Sequence, residues 1–116
     1  DICILGLGKN GHIGFNEPAA SLTRGCHVGE LTETSMQHEM TSSMKTKPTY
    51  GVTLGMADIF NSKKIILLIA GSNKEKIIEK LLTEKITTHL PASFLWIHPN
   101  VECYIDKECL SVKNQT

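Results

Sequence analysis

A strand, a turn and a helix are predicted, in that order, by the run Lys64-Ile-Ile-Leu-Leu-Ile-Ala-Gly-Ser-Asn-Lys-Glu75. Residues 64–70 are apolar from 65 onward and predict a buried strand, and Gly71 supplies the turn. Ser72 and Glu75 have the spacing of a capping box, which favours a helix that begins here. The apolar residues that follow recur at helical spacing, at positions 77, 78, 81, 82 and 86.

Similar segments continue along the rest of the chain. We expect strands at 1–7, 26–31, 50–54 and 101–105, and short helices at 56–60 and from Pro91. A further helix is predicted from Thr34, where a second capping box precedes methionines at positions 36, 40 and 44. Strands that alternate with helices predict an α/β fold with a doubly wound, largely parallel sheet. The unbroken apolar run at 1–7 predicts that this sheet is covered on both faces.

Length and charge limit the class of protein. The chain has 116 residues, with twelve Lys and Arg against twelve Asp and Glu, which fits one globular domain or part of a larger one. A net charge of zero and a single arginine, Arg24, argue against nucleic acid and a membrane surface as partners. The longest apolar run has six residues, far fewer than the roughly 20 that span a bilayer. The first residues lack the features of a signal peptide, so we expect a cytoplasmic protein.

The four cysteines agree with a reducing compartment, because no two of them have CxxC spacing. Cys3 and Cys103 lie in apolar, strand-like runs, and we expect both to be small core residues. The pair Cys26-His27 and the more distant His38 are too loosely spaced for a metal site, so no bound metal is predicted.

Two polar loops follow predicted strands and carry the residues suited to chemistry. The first runs from Gly8 to Ser21 and has too many glycines for a helix, and the second surrounds Gly71. Because parallel strands end at one edge of a sheet, we expect the two loops to converge there. Free N–H groups at a helix start and the ammonium of Lys74 favour binding of an anion such as phosphate. The alternative, with equal weight, is that Lys74 is an exposed lysine in the first helical turn with no ligand. The candidate site residues are Asn10, His12, Asn16 and Glu17 in the first loop and Ser72, Asn73 and Lys74 in the second.

His12 is the candidate for proton transfer in the first loop, since an imidazole has an unperturbed pKa of about 6.5. Glu17 precedes Pro18, which favours an extended backbone, and its carboxylate can accept from one ring nitrogen and make the other more basic. A loop histidine that is hydrogen-bonded to backbone is the alternative. The pattern Gly6-x-Gly8-x-x-Gly11 does not indicate dinucleotide binding, because Gly14 and Pro18 prevent the helix that this fingerprint requires.

The first loop also resembles the signature of a known enzyme family. Its sequence, Gly6-Leu-Gly-Lys-Asn-Gly-His-Ile-Gly-Phe-Asn-Glu-Pro18, is similar to that of the amino-sugar-6-phosphate isomerase/deaminase family, which includes glucosamine-6-phosphate deaminase and its galactosamine-6-phosphate relatives. The similarity continues through 51–55, 66–74 and 91–96, so it covers nearly the whole chain. The runs Cys26-His-Val and Gln37-His-Glu-Met40 resemble most closely the members thought to act on galactosamine 6-phosphate.

The resemblance implies an open α/β fold of the kind shared with ribose-5-phosphate isomerase and phosphogluconolactonase. It also implies an aldose–ketose isomerisation of an amino sugar 6-phosphate that releases ammonia and needs no cofactor. In that scheme His12 moves the proton that opens the pyranose ring. Glu17 orients His12, and Asn10 stands at the third position of an acid–base relay. We use the name histidine relay for Asn10, His12 and Glu17.

The resemblance assigns the remaining site residues to substrate binding. Lys74 matches the phosphate-binding lysine of the family, and Ser72 and Asn73 lie beside it in the sequence. The residues expected to shape the substrate loop are Gly8, Gly11 and Asn16.

Three departures from the family pattern bear on this hypothesis. Many deaminases have aspartate where Asn10 stands, so the histidine relay is expected to be shortened, with only Glu17 able to stabilise an imidazolium. The family's phosphate-binding arginine is expected near positions 37–40, where this sequence has none. The basic residues that bind an allosteric sugar phosphate in some members are expected near His27 and Gly29, so allosteric activation is not predicted.

Family members are considerably longer than this sequence. The resemblance therefore implies that residues 1–116 are the C-terminal part of a single isomerase/deaminase domain, without the N-terminal half that supplies a phosphate loop and an aspartate base. We expect the 116 residues alone to be inactive, because half a sheet exposes its strand edges and lacks that base.

Other functions remain open at this point. A lactonase or simple isomerase of the same fold is one alternative. The run Asn16-Glu17-Pro18 favours the deaminase branch of the family over it. A catalytically silent sugar-phosphate sensor is another, and Asn10 and the missing arginine favour it. The sequence does not distinguish glucosamine from galactosamine 6-phosphate, and it leaves open whether the protein forms a homo-oligomer.

Overall fold

The structure is a computed structural model that describes residues 1–32 and 49–110. In chain order its elements are β1 (Ile2–Gly6), β2 (His27–Glu30), β3 (Tyr50–Thr53), α1 (Met56–Phe60), β4 (Lys64–Ile69), α2 (Glu75–Leu81), a 3-10 helix (Pro91–Ile97), β5 (Val101–Ile105) and a second 3-10 helix (Lys107–Leu110). These bounds confirm the strands and short helices predicted for the described ranges. The helix predicted from Thr34 lies outside them. In the part of the chain that is described, no helix is both long enough and apolar enough to cross a membrane.

The main sheet is parallel and has the strand order β1-β4-β5. Its central strand, β4, consists almost wholly of isoleucine and leucine, which suit a pleated and buried surface. Leu67 of β4 lies opposite Leu5 of β1 on one side and Cys103 of β5 on the other. Parallel neighbours need a crossover, and α2 lies in the one that joins β4 to β5. The α/β fold expected from the sequence is therefore present.

The strands β2 and β3 form a separate antiparallel pair. Val28 lies opposite Val52, and Gly29 lies opposite Gly51. The sequence predicted both strands but not their separate pairing, because two short strands in a loop-rich region carry no local information about their partner. This pair, the β2–β3 hairpin, lies against the first loop and helps to position it.

The hydrophobic core lies on one face of the parallel sheet. The residues buried there are Leu5, Ile65, Leu67 and Ile69 of the sheet and Ile77, Ile78 and Leu81 of α2. On the other face, Ile2 and Ile4 are 62% and 65% exposed. Within the described residues, Ile2 and Ile4 are therefore uncovered, and a sheet covered on both faces stays a prediction. An unbroken apolar strand presents apolar side chains to both faces whether or not each face is covered, so the pattern cannot separate the two cases.

The start of α2 differs from the prediction made for the Ser72 capping box. The helix begins at Glu75, its N-cap is Lys74, and no side chain caps it. Gly71 and Asn73 have φ angles of 100° and 64°, in the left-handed region. Such angles are incompatible with a right-handed helical turn, so the residues after the strand form a turn and the helix starts later.

Three residues lie outside the core that their sequence patterns predicted. Leu82 and Ile86 follow the end of α2 and are exposed. Cys103 is also exposed, since β5 is the last strand of the described sheet, while Cys3 is half-buried. The fully buried cysteine is Cys109, whose Sγ lies 3.2 Å from the carbonyl oxygen of Gly71.

Candidate active site

The first loop folds back on itself and places the imidazole of His12 against Gly8. The N–H of Gly8 donates to the carbonyl oxygen of His12 at 3.0 Å, and the N–H of Gly11 donates to that of Gly8 at 2.9 Å. A Cβ atom on Gly8 would lie within 2.5 Å of three ring atoms of His12, so only glycine leaves room for the ring. Gly11 has a φ of 91° and packs against Leu90 of the core. The two glycines thus determine where the histidine lies.

Asn10 and Glu17 both contact the same ring nitrogen of His12. Its Nδ1 lies 2.9 Å from Oδ1 of Asn10 and 3.3 Å from Oε1 of Glu17. The amide nitrogen of Asn10 donates to Oε1 of Glu17 at 3.1 Å. Because the NH₂ group of Asn10 faces the carboxylate, its oxygen faces the ring and accepts from Nδ1–H. The neutral imidazole is then the Nδ1–H tautomer, which has its basic lone pair on Nε2.

The side chains of Asn10, His12 and Glu17 are therefore in contact with one another. Asn10 connects the imidazole to the carboxylate by two hydrogen bonds and adds no charge of its own. The side chains of His12 and Glu17 are only 12% and 9% exposed, so their interaction is weakly screened by water. Glu17 is the one group of the three whose charge can stabilise an imidazolium.

Thr32 also belongs to this group, although the sequence did not single it out. Its N–H donates to Oε2 of Glu17 at 3.1 Å, and its Oγ1 accepts from the amide of Asn10 at 3.1 Å. Thr32 is 15 residues from Glu17 and 22 from Asn10 along the chain, so no local motif links them.

The β2–β3 hairpin holds the middle of the first loop. The N–H of Phe15 donates to Oγ1 of Thr53 at 3.0 Å, and the amide of Asn16 donates to the carbonyl oxygen of Leu54 at 2.8 Å. The phenyl ring of Phe15 lies on Gly51, where a Cβ atom would approach a ring carbon to 2.6 Å. Asn16 is 3% exposed, so its side chain anchors the loop, whereas Phe15 lines the cavity described below.

Lys74 points inward from the second loop. It is 8% exposed, and its Nζ donates to the carbonyl oxygen of Leu7, just after β1. The alternative of an exposed lysine in a first helical turn is therefore wrong. Burial lowers the pKa of the Lys74 ammonium, and the positive charge of Lys9 lowers this pKa further. The neighbouring Ser72 and Asn73 are exposed.

A cavity of about 610 Å³ joins the two loops at the carboxyl ends of β1 and β4. Gly8, His12 and Phe15 line it from the first loop, and Lys74 lines it from the second. The loops thus converge as expected. The walls between them are mostly apolar and include Cys3, Ile4, Leu5, Leu7, Leu54, Ile59, Leu68 and Ala70. Polar side chains that belong to the predicted site but do not line this cavity are Asn10, Asn16, Glu17, Ser72 and Asn73.

This arrangement combines a base with a positive charge in one largely apolar space. Nε2 of His12 can accept a proton, and the ammonium of Lys74 can attract an anion, an attraction that is stronger between apolar walls than in water. The cavity therefore suits a small anionic ligand on which a proton must move. Over residues 1–32 and 49–110, no three His, Cys, Asp or Glu side chains are grouped to hold a metal ion.

Solved structures with a similar fold are sugar-phosphate enzymes. A monomeric glucosamine-6-phosphate deaminase, described as the missing link of the NagB superfamily, is 40% identical with a TM-score of 0.89, over 97% of this chain and 47% of that one. A 6-phosphogluconolactonase from Trypanosoma cruzi is 26% identical with a TM-score of 0.69, over 96% of this chain and 40% of that one. Both the identity and the TM-score are higher for the deaminase.

Residues 1–104 match the family described as glucosamine-6-phosphate isomerases/6-phosphogluconolactonase, and the chain belongs to this family. It is 46% identical over 106 residues to a protein of Escherichia coli (strain K12) named "Putative deaminase AgaI". The matched region is 91% of this chain and 42% of that protein. It is 44% identical over 110 residues to the glucosamine-6-phosphate deaminase of Staphylococcus epidermidis (strain ATCC 12228 / FDA PCI 1200), with coverage of 93% and 45%. The chain thus spans somewhat less than half the length of these relatives.

Proposed function

We propose that the protein is an amino-sugar-6-phosphate isomerase/deaminase. It converts glucosamine 6-phosphate or galactosamine 6-phosphate into the ketose 6-phosphate, and water replaces the amino group that leaves as ammonia. Two relatives named as deaminases, one of them a glucosamine-6-phosphate deaminase, support this activity, as does the likeness to a solved deaminase. We place the reaction in amino sugar catabolism in the cytoplasm, and we propose that it uses no cofactor.

The observation that carries the proposal is that His12 and Lys74 line the same cavity. An amino sugar 6-phosphate has a phosphate at one end and a hemiacetal at the other. The ammonium of Lys74 supplies a positive charge for the phosphate, and the polar side chains of Ser72 and Asn73 lie beside it in the second loop. The apolar walls between the two ends leave room for the carbon chain of the sugar.

His12 opens the sugar ring in this proposal. Ring opening requires a proton to leave the hydroxyl at C1 and a proton to reach the ring oxygen, and one imidazole can do both through Nε2. When the ring becomes an imidazolium, its Nδ1–H remains hydrogen-bonded to Asn10, and the nearby carboxylate of Glu17 stabilises the charge. The proposal assigns none of the described residues to the hydrogen transfer between C2 and C1.

A lactonase is the second candidate, because the family includes 6-phosphogluconolactonase and a solved lactonase has the same fold. That reaction would use the same phosphate site and the same histidine to activate water. The two activities differ in product, since the deaminase releases ammonia and the lactonase releases a carboxylic acid.

The proposal is tested on the protein as its gene encodes it. We expect ammonia and ketose 6-phosphate to form in equal amounts from glucosamine 6-phosphate, galactosamine 6-phosphate or both, measured at several pH values around neutrality. Glucosamine without phosphate is the matched control, and it should react far more slowly because it carries no phosphate for the Lys74 ammonium to attract. Acid release from 6-phosphogluconolactone, without ammonia from either amino sugar, would establish the lactonase instead.

A further inference from the structure

We propose that Thr32 is a positioning residue for proton transfer by His12, and this inference rests on the proposed function. Thr32 is not among the residues that line the cavity. It contacts the two groups that orient the ring, namely the carboxylate of Glu17 and the amide of Asn10. Its hydroxyl thereby holds the histidine relay in one arrangement.

The hydrogen-bond directions at Thr32 follow from its partners. Its Oγ1 accepts from the amide nitrogen of Asn10 at 3.1 Å, so its own hydrogen is directed to Oε2 of Glu17 at 3.4 Å. The two hydrogens of the Asn10 amide then have two acceptors, Oε1 of Glu17 and Oγ1 of Thr32. With both hydrogens used in this way, the amide oxygen faces Nδ1 of His12.

The orientation of the amide determines which tautomer the histidine adopts. If the amide turned over, its NH₂ group would face Nδ1, and the ring would carry its hydrogen on Nε2. The nitrogen assigned to the substrate would then have no lone pair to accept a proton. Thr32 supplies one of the two acceptors that oppose this flip.

The backbone of Thr32 continues from the β2–β3 hairpin and is not part of the first loop. It follows β2 after Leu31, which is buried and whose N–H donates to the carbonyl oxygen of Thr49 at 2.8 Å. The carboxylate of Glu17 is therefore tied to the β2–β3 hairpin, while Asn10 and His12 belong to the turn after β1. The hydroxyl of Thr32 joins these two parts of the site.

Two substitutions at Thr32 separate a hydrogen-bonding role from a packing role. Thr32→Val keeps the branched shape and removes the hydroxyl, whereas Thr32→Ser keeps the hydroxyl and removes the methyl group. We expect Thr32→Val to lower kcat for ammonia release about tenfold with KM changed less than about twofold, because a hydrogen bond to a charged group is lost. Thr32→Ser should remain within about twofold of the wild type in both constants.

Thr83→Val is the matched control, because the Oγ1 of Thr83 donates to the carbonyl oxygen of Lys80 on an exposed surface. If Thr32→Val fails to fold, Thr32→Ala removes the same hydroxyl without a second methyl group. Normal turnover of the valine variant together with impaired turnover of the serine variant would overturn the inference in favour of packing.

A second readout does not depend on catalysis. The ¹⁵N shifts of the His12 ring, measured by NMR, report which nitrogen carries the hydrogen. We expect the Nδ1–H tautomer in the wild type and a larger share of the Nε2–H tautomer in Thr32→Val. An unchanged tautomer with unchanged kcat would overturn the role of Thr32 and leave the proposed function intact. A wild type that releases no ammonia would overturn the proposed function, and the ring shifts would still test Thr32.

Discussion

The Oδ1 atom of Asn10 lies 2.9 Å from Nδ1 of His12, closer than any atom of Glu17 recorded against that ring. The other end of the same amide donates to Glu17 at 3.1 Å. A neutral side chain thus connects the base to the carboxylate at a position where many deaminases are expected to have aspartate. Within residues 1–32 and 49–110, the carboxylate recorded against the His12 ring is that of Glu17, whereas such relatives are expected to have an aspartate as well.

Replacing Asn10 by aspartate should therefore make His12 titrate at a higher pH. A carboxylate in hydrogen-bond contact with Nδ1 favours the imidazolium, and its repulsion from Glu17 is relieved when the ring is charged. The acid limb of kcat/KM against pH should move upward, and an NMR titration of the ring should move with it. Asn100→Asp adds the same charge at an exposed position and should leave both unchanged. An unmoved ring titration in Asn10→Asp would show that this contact does not control the histidine.

Removal of the imidazole should abolish most of the turnover. A positioned acid–base group contributes about 10² to 10⁴ in rate, so His12→Ala should lower kcat by a factor in that range. His89→Ala is the control, because His89 is exposed and its recorded hydrogen bond comes from its backbone N–H. Ammonia release by His12→Ala at more than a tenth of the wild-type rate would contradict the assigned role.

A methyl group at Gly51 should displace the ring of Phe15. The added Cβ would lie 2.6 Å from one ring carbon and 3.0 Å from two others, so the phenyl ring must move. Overpacking of this kind costs about 1–3 kcal/mol, which a lower free energy of unfolding of Gly51→Ala should show. Since the rings of Phe15 and His12 are 6.4 Å apart, the NMR signals of His12 should shift as well.

Gly25→Ala is the control for that prediction, because no atom lies within 4 Å of the Cβ position at Gly25. Equal stability of the two alanine variants would mean that the Phe15 ring does not occupy the surface of Gly51.

The buried ammonium of Lys74 predicts a pH dependence of stability. Because burial lowers its pKa in the folded state, the unfolded chain binds more protons between that lowered value and the usual pKa of about 10.4. The free energy of unfolding should therefore rise with pH across this window. Lys74→Met lacks the ammonium and should lack this rise, which chemical denaturation between pH 7 and pH 10.5 can measure in both proteins. Parallel pH dependences for the two would contradict the burial of the charge.

Sequence patterns predict a strand well where the residues of the pattern themselves favour the strand. The β4 strand was predicted at 64–70 and lies at Lys64–Ile69, because a run of isoleucine and leucine suits a buried strand. The start of α2 was missed because the left-handed backbone at Asn73 is a property of the folded turn and overrides the capping box.

In the site, too, residues of one loop are predictable from the sequence, whereas contacts between distant parts of the chain are not. His12 and Glu17 could be selected from the sequence since both lie in one loop with a recognisable order of residues. The contact of Phe15 with Gly51 and the contacts of Thr32 join residues far apart in sequence, so only the placement of the hairpin reveals them. The direction of Lys74 was left open for the same reason, because its acceptor, the carbonyl of Leu7, belongs to another strand end.

The central claim is that His12 and Lys74 face one cavity and bind opposite ends of the same ligand. An amino sugar 6-phosphate reduced at C1 cannot isomerise, so it can be titrated into the gene-encoded protein while NMR follows the His12 ring and the Lys74 side chain. We predict that both sets of signals move together and give one dissociation constant. Movement of one residue without the other, or two different dissociation constants, would contradict a shared site.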